Sequence, residues 1–318
     1  MNNSQPSRKR SIVRWVKRIL IVIGVLVLIF IFVVVPFGFS WLLTHASSRP
    51  SDSVMTETPA KYGVAFEPVS FESLDGTPLS GWWLPADSSN VVVIYSHGLF
   101  RSRLELLERA ARLRQLGYAG LLFDFRRHGE SHGELTSAGY LERLDVLGAV
   151  KFIHEKLSIQ KPIVTFAVSM GTAATMLAAA ESLEIAGLIL DSSFLSFDHT
   201  VSHHINLLGL PAFPLANEVI LFTKWRVGFE NGEFDMATAV QKIGDRPILF
   251  IAGSADTRMP PEISQRLYEL SPSQHKQLVI VEGATHGAAF RTNAELYEQK
   301  VVDFLSENFN HTDAPATN

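Results

Sequence analysis

Residues 162–174 impose an abrupt change of backbone period around one serine. Ahead of it lies a short apolar run, 162–166, with the composition of a buried strand. Behind it, from Thr172 onward, small residues recur as they do in a closely packed helix. A serine caught between them, in Ala167-Val168-Ser169-Met170-Gly171, must occupy a tight bend that thrusts its hydroxyl above the carboxyl end of the strand. Ala167 and Gly171 are small enough for strand and helix to approach without colliding. Strand-like runs at 65–71, 79–84, 91–94, 119–125, 163–166 and 186–190 alternate with helical patterns at 104–116, 141–157 and 172–183. Such alternation predicts an α/β domain, a mostly parallel sheet covered by helices on both faces.

Two later strands end in residues that can act on that serine. The run 247–253 delivers Ser254-Ala255-Asp256-Thr257 into the loop beyond it, and the run 277–282 ends in Gly283-Ala284-Thr285-His286-Gly287. A serine hydroxyl is a poor nucleophile near neutral pH. It needs an imidazole to take its proton and a carboxylate to hold the imidazole in the right tautomer. Ser169, Asp256 and His286 follow one another in the chain as nucleophile, acid and base. A fourth strand, 91–94, leads into Tyr95-Ser96-His97-Gly98-Leu99-Phe100.

This constellation resembles the alpha/beta-hydrolase superfamily, whose nucleophile elbow is usually G-x-S-x-G; here alanine holds the first position. The resemblance covers residues 62–309. It implies an eight-stranded, mostly parallel sheet with flanking helices and a helical lid insertion at about 194–244, where regular alternation stops after Asp191. It also implies that the backbone amides of Leu99 and Met170 form an oxyanion hole. The segment Asp124-Phe125-Arg126-Arg127-His128-Gly129-Glu130-Ser131 is similar to a D-x-R-x-x-G-x-S stretch of these hydrolases and is expected to brace a loop beside the site.

Each of these residues also has a plainer reading. Ser169 alone suits a helix N-cap, and Asp256 a cap for the helix beginning near Pro260. Asp191, at the end of the 186–190 run, competes with Asp256 for the acid, because some lipases carry theirs there. His97 is expected to be structural. His199, His203 and His204 have helical spacing that would suit a metal, but no carboxylate or cysteine stands ready to complete a site, and a solvated helix face is the reading adopted. Arg109, Arg112 and Arg114 are likewise read as a solvated face. Apolar residues 205–213 and 219–222 within the insertion either line an acyl pocket or pack on the sheet.

Ahead of the hydrolase-like region, the 21 residues 19–39 contain no charge, and apolar character continues to residue 43. At 1.5 Å per residue such a helix spans about 31 Å, matching a hydrocarbon core of roughly 30 Å. Arg8, Lys9, Arg10, Arg14, Lys17 and Arg18 precede it without an acid, which predicts a cytoplasmic N-terminus and an extracytoplasmic catalytic domain. A cleavable signal peptide is the competing reading, but its apolar core would be about 7 to 15 residues. The expected organisation is therefore a basic segment 1–18, a transmembrane signal anchor 19–43, a linker 44–61, the hydrolase domain 62–309 and a polar tail 310–318.

The chain holds 28 basic and 32 acidic residues, and setting aside those six basic ones leaves 22 against 32, a net of −10 for the remainder. That balance gives no footprint for nucleic acid. Cysteine is absent from the sequence, so disulfides and thiolate metal sites are excluded. The expected activity is serine hydrolysis of a small-molecule or lipid carboxylic ester, which needs no metal or organic cofactor. A peptidase or amidase of the same fold and a catalytically silent binding module are the alternatives.

Overall fold

A computed structural model describes residues 8–309, with side chains from residue 12; the tail 310–318 and the first seven residues lie outside the described part. Helix α1 (Arg8–Ile29) runs through a π-helical turn at Phe30–Val34 into α2 (Val35–Thr44). Pro36 accounts for the widened turn: lacking an N–H, it cannot bond back one turn, and the backbone loosens just ahead of it. The stretch Ile12–Thr44 is long and apolar enough to cross a membrane. From residue 12 to residue 34 its side chains are exposed all round, Leu20 to 61% and Ile21 to 65%, a surface suited to lipid rather than water.

The domain that follows is built on eight strands: β1 (Glu67–Glu72), β2 (Pro78–Leu84), β3 (Val92–Ser96), β4 (Ala119–Phe123), β5 (Ile163–Val168), β6 (Ile185–Asp191), β7 (Ile248–Gly253) and β8 (Lys276–Val281). They form one sheet in the order β1-β2-β4-β3-β5-β6-β7-β8. Only the pairings of β1 with β2 and of β2 with β4 are antiparallel; β3 to β8 run parallel. The helices are α3 (Leu107–Gln115), α4 (Glu142–Lys151), α5 (Met170–Glu181), α6 (Phe197–Leu207), α7 (Ala212–Val227), α8 (Met236–Ile243), α9 (Pro261–Leu270), α10 (Ala289–Thr292) and α11 (Ala294–Phe309).

Side chains alternate across the sheet. Ile94, Ala167, Leu190 and Phe250 enter one core with α4, α5, α8 and α9, whereas Val93, Phe166, Ile189 and Ile251 enter the other with α3, α10 and α11. The central strands are therefore buried on both faces, which is why their sequences read as continuous apolar runs rather than alternating ones. The parallel arrangement brings the carboxyl ends of β3, β5, β6 and β7 to one rim, where the loops carrying Gly98, Ser169, Asp191 and Asp256 emerge.

Several boundaries differ from the sequence expectation for local reasons. The helix expected over 104–116 starts as a 3-10 turn at Arg103–Leu106, where the Leu104 amide donates to the Ser102 hydroxyl at 3.4 Å, and becomes α-helical only at Leu107. The helix expected over 141–157 widens into a π turn at Phe152–Lys156. Residues 44–61, expected as a linker, are held to the domain. The Arg49 amide donates to the Phe100 carbonyl at 3.0 Å, and the Ser48 hydroxyl donates to the Arg101 carbonyl at 2.7 Å while accepting from the Gly129 amide at 2.6 Å.

Strand and helix meet backbone to backbone at Gly171. A Cβ there would sit 2.2 Å from the Ser96 carbonyl oxygen and 2.9 Å from that of His97, so α5 is pressed directly against the end of β3. Gly171→Val is expected to cost at least the roughly 1–3 kcal/mol of an overpacked core site, read as a fall in melting temperature or in yield of folded protein. Ala167→Gly, which restores the glycine usual in the superfamily, is expected to melt within a few degrees of wild type.

Candidate active site

Ser169 occupies the bend between β5 and α5 with φ 53° and ψ −118°, a conformation that L-residues adopt only when their surroundings enforce it. Its amide donates to the Asp191 carbonyl at 2.9 Å, and its carbonyl accepts from the Thr172 amide at 2.9 Å. The backbone is thus clamped on both sides. Its side chain makes no capping hydrogen bond to α5, which removes the N-cap reading. Instead the hydroxyl lies 2.9 Å from His286 Nε2.

The other imidazole nitrogen, His286 Nδ1, lies 2.8 Å from Asp256 Oδ2. Asp256 is 3% exposed, and its second oxygen accepts from the amides of Arg258 and Met259, both at 2.9 Å. Those two bonds fix the carboxylate plane and leave Oδ2 for the imidazole. A carboxylate on Nδ1 keeps the proton there, so Nε2 presents its lone pair to the serine. The arrangement can accept a proton from Ser169 as the hydroxyl attacks and return it to a leaving group.

Asp191 lies at the same rim but serves another set of partners. It accepts from the Tyr297 hydroxyl at 2.9 Å and the Ser192 hydroxyl at 2.9 Å, and stands 4.0 Å from Arg109 Nη2. Burial raises its carboxyl above the usual range against the pull of Arg109 and Tyr297. Arg109 is 5% exposed and lies over the rings of Phe290 and Tyr297, which overturns its expected place on a solvated face. Arg112, half-exposed and paired with Glu108 and Glu298, keeps to that face.

The turn after β3 passes beside the serine. A Cβ on Gly98 would lie 3.4 Å from Ser169 Cβ. Leu99 and Met170, together with Ser169, line a cavity of about 240 Å³ whose other walls include Phe194, Phe197, Val201 and Ile205. Two further features hold this turn. His97 is fully buried; its Nε2 accepts from the Phe125 amide at 3.0 Å, so its Nδ1–H donates to the Gly98 carbonyl at 2.8 Å. Burial depresses its pKa well below the ordinary histidine value, so it stays neutral.

Glu105, which carried no signal in the sequence, accepts from the Gly98 amide at 2.6 Å. Burial pushes its carboxyl up, opposed by that amide and by Arg109 and Arg101. The Asp124 segment forms the brace expected of it: Arg103 donates to both Asp124 oxygens, and its Nη2 reaches Glu130 at 2.6 Å. Of the three clustered histidines, His203 Nε2 lies 2.9 Å from the Thr257 carbonyl and His204 Nδ1 2.9 Å from the Thr200 carbonyl, both as donors. Nitrogens so used are not free to ligate. No group of three potential metal ligands occurs among the described residues.

A family model described as serine aminopeptidase, S33, matches residues 87–238. The Bacillus subtilis protein YqkD is 30% identical over 308 residues, covering 92% of this chain and 98% of its own. Among solved structures, the Pyrococcus furiosus esterase Pf2001 is similar with a TM-score of 0.69 at 26% identity, covering 83% of this chain and 98% of that one. A Saccharomyces cerevisiae relative described as a membrane protein is 23% identical over 261 residues, 79% of this chain and 83% of its own.

Asp191→Asn tests the division of labour between the two acids. It removes one of the two acceptor oxygens used by the Tyr297 and Ser192 hydroxyls, a loss of about 1–3 kcal/mol. Thermal melting should fall by at least roughly 2 °C; a melt coincident with wild type would contradict the assignment.

Proposed function

As this chain belongs to the alpha/beta-hydrolase superfamily, we propose that it is a membrane-anchored serine hydrolase cleaving carboxylic esters through an acyl-enzyme. Ser169 attacks the carbonyl, His286 takes the serine proton and passes it to the leaving alcohol, and Asp256 orients the ring and stabilises the imidazolium. The Leu99 and Met170 amides receive the oxyanion. Water then attacks the acyl-serine, with His286 acting as base and returning the proton to Ser169. The observation that carries this reading is the unbroken relay Ser169 Oγ to His286 Nε2 at 2.9 Å and His286 Nδ1 to Asp256 Oδ2 at 2.8 Å.

An ester with an apolar acyl group fits the cavity, where Thr200, His204 and Arg258 are the polar side chains besides Ser169. The description of the matching family model favours a second reading, an aminopeptidase. Such an enzyme must recognise a substrate ammonium, and the cavity lining contains no carboxylate to pair with one. Helices α6 and α7 would serve as the lid. The N-terminal helix would cross the membrane once, with 1–18 in the cytoplasm and 62–309 on the far side, in keeping with Arg14, Lys17 and Arg18 at its start.

The test is covalent labelling. Wild-type protein should react with an alkyl fluorophosphonate and Ser169→Ala should not; an unreactive wild type points to a silent binding module. Asp256→Asn should retain labelling at a reduced rate and lose about 10⁴-fold in kcat from the wrong imidazole tautomer, measured on acyl esters alongside aminoacyl amides. Because the sequence has no cysteine, Glu295→Cys gives a single thiol for topology. A membrane-impermeant maleimide should label it in intact cells, and labelling only after lysis would reverse the orientation.

A further inference from the structure

The anchor and the catalytic domain share a wall. Phe39 and Leu43, in the last two turns of the long N-terminal helix, line the same cavity as Ser169, together with Phe194, Ile205 and Val219. The contact is a built one. Ser40, fully buried beside them, accepts from Arg226 Nη1 at 2.7 Å and from the Thr223 hydroxyl at 3.0 Å; Phe37 meets the edge of Phe222 at 5.5 Å and lies under the Arg226 guanidinium at 4.8 Å. On the other side, the Thr136 amide donates to the Thr44 carbonyl at 2.9 Å. The helix therefore cannot swing away from the cavity without breaking a buried polar cluster.

Depth follows from length. If the hydrocarbon core begins after Arg18, twenty residues at ~1.5 Å each fill ~30 Å and end near residue 38. Phe39 and Leu43 then stand at the far interface, where Trp41, 50% exposed, and Trp225, 74% exposed, are placed as interfacial aromatics are. Leu208, 64% exposed, also lines the cavity.

We infer that the anchor helix is a specificity-determining part of the substrate pocket, with Phe39 and Leu43 packing against the acyl chain of a lipid ester drawn from the adjoining leaflet. This rests on the serine-hydrolase reading above and adds the substrate class and two residues to it. A cavity of about 240 Å³ is many times the space a single water needs and leaves room for an acyl chain.

The test uses the full chain in lipid nanodiscs and compares kcat/KM for 4-nitrophenyl octanoate with that for 4-nitrophenyl acetate. The ratio of the two is insensitive to the fraction of protein that folds. Leu43→Trp and Phe39→Trp, which fill the cavity, should lower the octanoate-to-acetate ratio at least about tenfold, the scale on which apolar pockets discriminate by size. Leu42→Trp, on an exposed position of the same turn, should keep the wild-type ratio. Ratios for Leu43→Trp and Phe39→Trp within twofold of wild type would overturn the inference while leaving the hydrolase reading intact, as would an equal shift in Leu42→Trp. Wild-type protein without Ser169-dependent turnover of either ester would overturn both.

Discussion

The pressure of Gly171 against the backbone at the end of β3 is the constraint on which the site depends. Because a Cβ there would meet the Ser96 carbonyl at 2.2 Å, α5 can begin immediately beyond β5 with its first turn lying on the neighbouring strand. Ser169 is left in a left-handed conformation that its own preferences oppose. The strain is held by the sheet, through the Ser169 amide on the Asp191 carbonyl and the burial of β5 on both faces. An elbow held in this way keeps its hydroxyl pointing out of the sheet at little entropic cost during each reaction cycle.

Around that elbow, charge is distributed so that each carboxylate has one task. Asp256 is steadied by two amides and meets the imidazole. Asp191 offsets the buried Arg109 and ties α11 to the rim through Tyr297. Glu105 holds the Gly98 amide, and with it the turn that carries Leu99. Interchanging these roles would leave either the imidazole unoriented or the buried Arg109 guanidinium without its neighbouring carboxylate, and both outcomes are costly.

Much of this was legible in the sequence, because parallel strands buried on both faces leave continuous apolar runs and because the elbow demands small residues at fixed positions. Ser169, Asp256 and His286 were readable as candidates since each follows such a run in the expected order. Asp256 is the acid the sequence favours, with Asp191 as its competitor, as both follow a buried strand; what separates them is contact that spacing does not record, the Arg258 and Met259 amides of the same loop turning back onto Asp256 and the distant Tyr297 meeting Asp191. Arg109 was misplaced because helical periodicity records spacing, and it cannot register aromatic rings on α10 and α11 arriving from 180 residues away. Phe39 and Leu43 carried no signal at all. In so apolar a helix, the two positions that face a cavity look like their exposed neighbours.

The central claim is that the relay of Ser169, His286 and Asp256 carries hydrolysis through a covalent intermediate. Rapid acid quench of full-length protein during turnover of 4-nitrophenyl octanoate, followed by peptide mass spectrometry, tests it most directly. The account predicts an octanoyl adduct on the peptide containing Ser169, formed in a burst and decaying as ester is exhausted. Turnover without acylation, or an adduct on any other residue, would contradict it.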